Sequence, residues 1–177
     1  MSGALHQLKL DYDAGEDRLV LRISTHDQTE VRLWLTRRFT KALWQGLIKV
    51  VEANPSALLA TDAESRESVM AYQHEQAVDE EQFGHTFEET ATEFPLGEEP
   101  ALVVGLTIGS PEPSEPPRLI FETVDKRMVS LGMDQQIVHS LVHLLALSMK
   151  QTDWDLVLDL TVSSVEEAMA ERPAQLH

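Results

Sequence analysis

Apolar and polar residues alternate in three short runs near the N-terminus. His6, Leu8, Leu10 and Tyr12 share one parity, with Gln7, Lys9 and Asp11 on the other. Leu19, Leu21 and Ile23 alternate with Arg18, Val20 and Arg22. Val31, Leu33 and Leu35 alternate with Arg32, Trp34 and Thr36. A period of two belongs to a strand with one buried face, so these runs predict a three-stranded antiparallel meander. The stretches between them, Asp13-Ala14-Gly15-Glu16 and Ser24 to Thr29, carry turn chemistry.

The period then lengthens. From Arg37 to Ala53, Phe39, Leu43, Leu47, Val50 and Val51 fall on one helical stripe, and Arg37, Lys41, Gln45 and Lys49 on the opposite one. Asn54-Pro55 ends that helix. Thr61-Asp62-Ala63-Glu64 reads as a capping box for a second helix, running to about Gln82, with a thin apolar stripe. Ala101 to Gly109 returns to a strand pattern, and the proline-rich run Pro111 to Pro117 is a connector that cannot join a ladder. Arg118 to Val124 and Arg127 to Met133 predict a hairpin turning at Asp125-Lys126. Asp134 caps a third helix reaching about Lys150. Trp154, Leu156, Leu158, Leu160 and Val162 alternate as a further strand, and Ser163-x-x-Glu166 opens a short last helix.

The predicted order is βββααβββαβα. Clustered strands and helices define an α+β domain over residues 1–177, a largely antiparallel sheet of about six to seven strands with helices packed on it. No internal repeat is visible. The third helix is apolar over most of its circumference; only Gln136, His139, His143 and Lys150 form a narrow polar stripe, so burial on several sides is expected.

Charge changes this picture in one place. The 177 residues carry a formal charge of −16. Residues 1–50 hold eight bases and six acids, whereas residues 62–99 hold twelve acids and one base, Arg66. The middle of the chain therefore carries most of the negative charge. Residues 84–100 read as an exposed acidic loop, available to a basic partner or to the chain's own basic N-terminal face.

Composition narrows the chemistry. There is no cysteine, which excludes disulfides, thiolate metal sites and a cysteine nucleophile. No phosphate-binding glycine loop, nucleophile elbow or zinc-protease signature is present, and no cofactor is expected. The net charge makes nucleic acid an unlikely ligand. No apolar run is long enough to span a membrane and no signal pattern opens the chain, so a soluble cytoplasmic protein is expected.

Two groups remain as candidate sites. His139 and His143 stand four apart on one helix, a spacing that lets two imidazoles reach one metal ion, with His74, His85, Asp153 or Asp155 as possible further ligands. Asp153, Asp155 and Asp159 share one face of the predicted last strand. The second group is basic and aromatic. Arg18, Arg22, Arg32 and Trp34 share the outward parity of the second and third strands, and Arg37, Arg38 and Lys41 follow at the helix start. Arginine near tryptophan suits phosphate, carboxylate or a protein hot spot. The sequence thus predicts a non-enzymatic adaptor or accessory domain that binds another protein or a second copy of itself. The alternative is a divalent-metal-binding protein or metal-dependent hydrolase built on His139 and His143.

Overall fold

The computed structural model describes residues 4–53, 87–109 and 117–156. Six strands, β1 (Leu5–Asp13), β2 (Arg18–Thr25), β3 (Glu30–Leu35), β4 (Ala101–Gly109), β5 (Arg118–Thr123) and β6 (Met128–Gly132), form one sheet in sequence order. Two helices accompany them, α1 (Arg37–Glu52) and α2 (Gln135–Met149). The second predicted helix lies outside the described residues, as do most of the predicted last strand and the final helix. Trp154 to Leu156, at the start of that predicted strand, join no ladder.

The architecture is α+β, but the sheet is mixed. β1–β2–β3 is the antiparallel meander that the alternation predicts; β4–β5–β6 is a second antiparallel meander, which contains the predicted β5–β6 hairpin. They meet through a parallel pair, Leu33 opposite Ala101 and Trp34 opposite Leu102. The expected antiparallel character therefore fails at this seam. Alternation fixes which face of a strand is buried and leaves its neighbour undetermined.

The predicted inward faces make the core. Leu19, Leu21, Ile23, Leu33, Leu119 and Phe121 are fully buried, in one cluster with Leu43 and Leu47 of α1 and Leu141 and Leu145 of α2. α1 lies close against β4, where a side chain at Gly46 would overlap Ile108. α2 lies against β1, and Ser148 Oγ donates to the carbonyl of Leu10 at 3.2 Å. Each helix thus packs on the first strand of the other meander. Residues of β1 and of β6, the two ends of the sheet, line a common groove of about 1240 Å³ together with α2.

The two halves repeat each other, a regularity the sequence conceals. Leu21 pairs with Leu33 and Ile23 with Val31; in the second half Leu119 pairs with Leu131 and Phe121 with Val129. Both meanders have a register shift early in the first strand, at Leu5/Gln7 and at Val103/Gly105. Both second hairpins turn through the same device. Thr25 and Thr123 each donate a hydroxyl to an aspartate two residues on, Asp27 and Asp125, and each accepts the turn back through its backbone. Gln28 and Lys126 then take left-handed backbone conformations, φ 61° and 62°. The interval from turn to helix cap is also the same, Thr25 to Thr36 and Thr123 to Asp134. All these positions correspond at one constant interval, which also places Leu43 on Leu141 and Leu47 on Leu145.

The two turns should therefore respond alike. Thr25→Val and Thr123→Val should each lower stability by about 1 kcal/mol in urea denaturation, the worth of a typical hydrogen bond. Phe121→Ala should cost more, about 3–5 kcal/mol, because it empties a fully buried site. A clearly unequal pair of threonine effects would show that the turns are not equivalent.

Candidate functional site

The outward face of β2 and β3 is built by their register. Arg22 lies directly opposite Arg32, and Ser24 opposite Glu30. Two guanidinium groups side by side would repel, and the Glu30 carboxylate resolves this. Glu30 accepts from Arg22 Nε at 2.8 Å and Nη2 at 3.1 Å, and from Arg32 Nε at 2.6 Å. The glutamate is fully buried. Its burial alone would raise the carboxyl's pKa, but the hydrogen bonds and charges of the two arginines outweigh that and hold it below the ordinary value. The same bond raises the pKa of Arg22.

What buries this cluster is the described part of the acidic stretch. Residues 87–99 cross the outer face as an irregular strap. The Phe87 ring lies under the Arg22 guanidinium at 4.3 Å, and Glu89 accepts from Arg22 Nη1 at 2.9 Å. Phe94 lies under Arg32 at 4.9 Å, and Arg32 Nη1 donates to the carbonyl of Glu98 at 3.0 Å. The backbone joins in, with Thr92 and Glu93 donating to the carbonyl of Gln28, Glu30 donating to the carbonyl of Glu93, and Thr29 and Glu93 forming a parallel bridge. Glu88 N donates to Gln7 Oε1 at 3.0 Å. At the far end Arg127 donates to the carbonyls of Pro95 and Leu96. The hydrogen bond from Arg22 lowers the pKa of the exposed Glu89.

The predicted basic and aromatic group therefore divides. Arg22 and Arg32 are engaged by Glu30 and the strap. Trp34 is half-buried in a row with Val20 and Leu102, its neighbours across the sheet. Arg18, at the same end of the sheet, is half-exposed and 3.4 Å from Glu16. Arg37, Arg38 and Lys41 are exposed on the first turn of α1, which contains no acid, and Arg38 lies over Phe39 at 5.0 Å. The residue the sequence reading overlooked is Glu30. Its signal was its outward parity, shared with Arg32, and its place across a hairpin from Arg22.

Comparing the halves separates scaffold from chemistry. Turn, cap and core positions recur, but Arg22, Glu30, Arg32 and Trp34 correspond to Ile120, Met128, Ser130 and Gly132. The fold does not require the charged cluster, since the second half makes the same hairpin without it.

The histidine pair lies elsewhere. His139 is buried, and it lines an apolar groove of about 1010 Å³ between α1, β4 and α2. His143 is half-buried; its burial, and then the charge of Lys150, lower its pKa. Among the described residues no three histidine, aspartate or glutamate side chains come together as a metal site requires. Asp153 and Asp155 are exposed, with Trp154 between them buried and donating from Nε1 to Asp17 at 2.5 Å. His74, His85 and Asp159 lie outside the described residues. Among those described, no helix is long and apolar enough to cross a membrane. Compared with protein-family models, curated proteins and solved structures, the chain has no significant match.

The Glu30 cluster should govern acid stability. A carboxyl whose folded pKa is depressed stabilises the fold above its ordinary range and loses that contribution as pH falls through the lowered value. Glu30→Gln should cost about 3–5 kcal/mol at neutral pH, because it leaves two arginines facing each other. Urea midpoints at pH 7 and pH 3 should fall less steeply with acid in Glu30→Gln than in the unchanged chain. Equal slopes would show that Glu30 is not the controlling group.

Proposed function

We propose that this chain is a non-enzymatic protein-interaction domain, an adaptor or accessory subunit, and that its partner-binding surface is the outer face of the first half. One observation carries the reading. The scaffold is made twice, and among the described residues only the first copy bears a band of arginine and aromatic side chains on its outer face. Arginine and tryptophan are the residues in which interface energy concentrates. In this reading Arg18, Trp34, Arg37, Arg38 and Lys41 meet the partner directly, while Arg22 and Arg32 shape the surface. A net charge of −16 argues against phosphate-rich ligands and leaves a protein as the partner. The reading uses no cofactor. Nothing among the described residues favours the metal-dependent alternative through His139 and His143.

The test is affinity capture from the native host with the tagged chain and with a Trp34→Ala/Arg38→Ala variant. Neither substitution touches the Glu30 cluster, so the thermal midpoint should shift by only a few degrees. A partner held by the unchanged chain and lost by the variant is the expected result. Retention of every captured protein by a folded variant would remove this surface from consideration. Arg32→Ala is a poor substitute, because Arg32 also holds Glu30 and Phe94.

A further inference from the structure

The strap behaves chemically as a ligand. It brings an aromatic ring and a carboxylate to Arg22, a second ring and a carbonyl to Arg32, and one backbone bridge to the start of β3. This is the make-up of an extended peptide seated on a strand edge, with backbone bonds for affinity and side-chain contacts for selection. The edge is there to be used, because β3 pairs with β4 only at Leu33 and Trp34, beyond the Thr29 bridge.

We infer that the Arg22–Glu30–Arg32 surface is a recognition site for acidic, phenylalanine-containing peptide segments of a partner protein, and that residues 87–98 occupy it in cis. The inference rests on the interaction reading above and names its partner chemistry. Three observations support it. The strap's contacts are of a replaceable kind: Glu88 and Glu89 remain 62% and 72% exposed, and exposed ion pairs are worth little. The second half folds the same hairpin with Ile120, Met128 and Ser130 at the corresponding places, so the scaffold does not demand this site. The site reads spacing: a phenylalanine, an acid two residues on, and a second phenylalanine seven residues after the first. A tethered segment competes at high effective concentration, so a partner must match that spacing to displace it.

The probe is a fluorescein-labelled synthetic peptide with the sequence of residues 87–98, followed by fluorescence anisotropy. The full chain carrying Phe87→Ala, Glu89→Gln and Phe94→Ala should bind it at least tenfold more tightly than the unchanged chain, whose site is filled. A peptide carrying Phe87→Ala should bind that receptor at least tenfold more weakly, and one carrying Glu89→Gln at least threefold more weakly. Should the triple variant not fold, by near-ultraviolet circular dichroism, Glu89→Gln alone serves as receptor and must show at least a threefold gain. The inference is overturned if the weakened strap brings no gain, or if the altered peptides bind as well as the parent. It is also overturned if light scattering shows a dimer of the unchanged chain that Phe87→Ala/Glu89→Gln abolishes, since the natural occupant would then be a second copy. Partner capture that depends on Trp34 and Arg38, without peptide binding, would sink this inference and leave the proposed function standing. Peptide binding with capture unaffected by Trp34→Ala/Arg38→Ala would support this inference and the interaction reading, and remove only Trp34 and Arg38 from the partner surface.

Discussion

The outer face of this protein depends on one buried carboxylate. The register of the β2–β3 hairpin sets Arg22 against Arg32, and only Glu30 lets both guanidinium groups stay there. Taking a carboxylate out of water is costly, and three charged hydrogen bonds are what make it tolerable. Glu30 also holds each guanidinium group in place beside an aromatic ring. Those rings are Phe87 and Phe94, and both belong to the strap. The acidic stretch, which reads as a loop of repelling charges, is thereby given a path across the sheet.

Internal duplication supplies a control within the molecule. Threonine–aspartate turns, a polar cap after the third strand, and leucines at matching helix positions appear in both halves because each half must build the same meander and helix. The caps themselves differ within that constraint. Asp134 accepts from Ile137 N at 2.8 Å, while Thr36 makes no side-chain cap bond. Positions under no shared demand have gone separate ways, and the arginine cluster is the clearest of these.

Much of the described fold was legible in the sequence. The alternation at Leu19, Leu21 and Ile23 and the stripe through Leu43 and Leu47 gave both element type and buried face, since amphipathic pattern and burial have one cause. The Asp134 cap was legible for the same local reason. The neighbours across the seam were not, because pairing Leu33 with Ala101 depends on how the halves pack. The repeat escaped because it is kept in roles more than in identities: Phe121 answers Ile23, Met133 answers Leu35 and Asp134 answers Thr36. Outward parity placed Arg22, Arg32 and Trp34 on one face of the sheet, but parity says nothing of cover, and the strap covers two of the three. His139, on the polar stripe of α2, is nonetheless buried. A polar residue on a helix enclosed on several sides is buried with its neighbours.

The narrow parallel seam bears on how the chain assembles. Each meander pairs only with nearby sequence, and such contacts form early. The seam must wait, since Leu33 cannot meet Ala101 until a long intervening stretch has been made. Neither helix can finish its packing before then, because α1 needs β4 and α2 needs β1. During synthesis the first half therefore emerges with an incomplete core and a helix that has β2 and β3 but not yet β4 to pack on. At that moment α1 reaches β4 and α2 reaches β1, and the two helices reinforce a junction whose strands pair at Leu33 and Trp34.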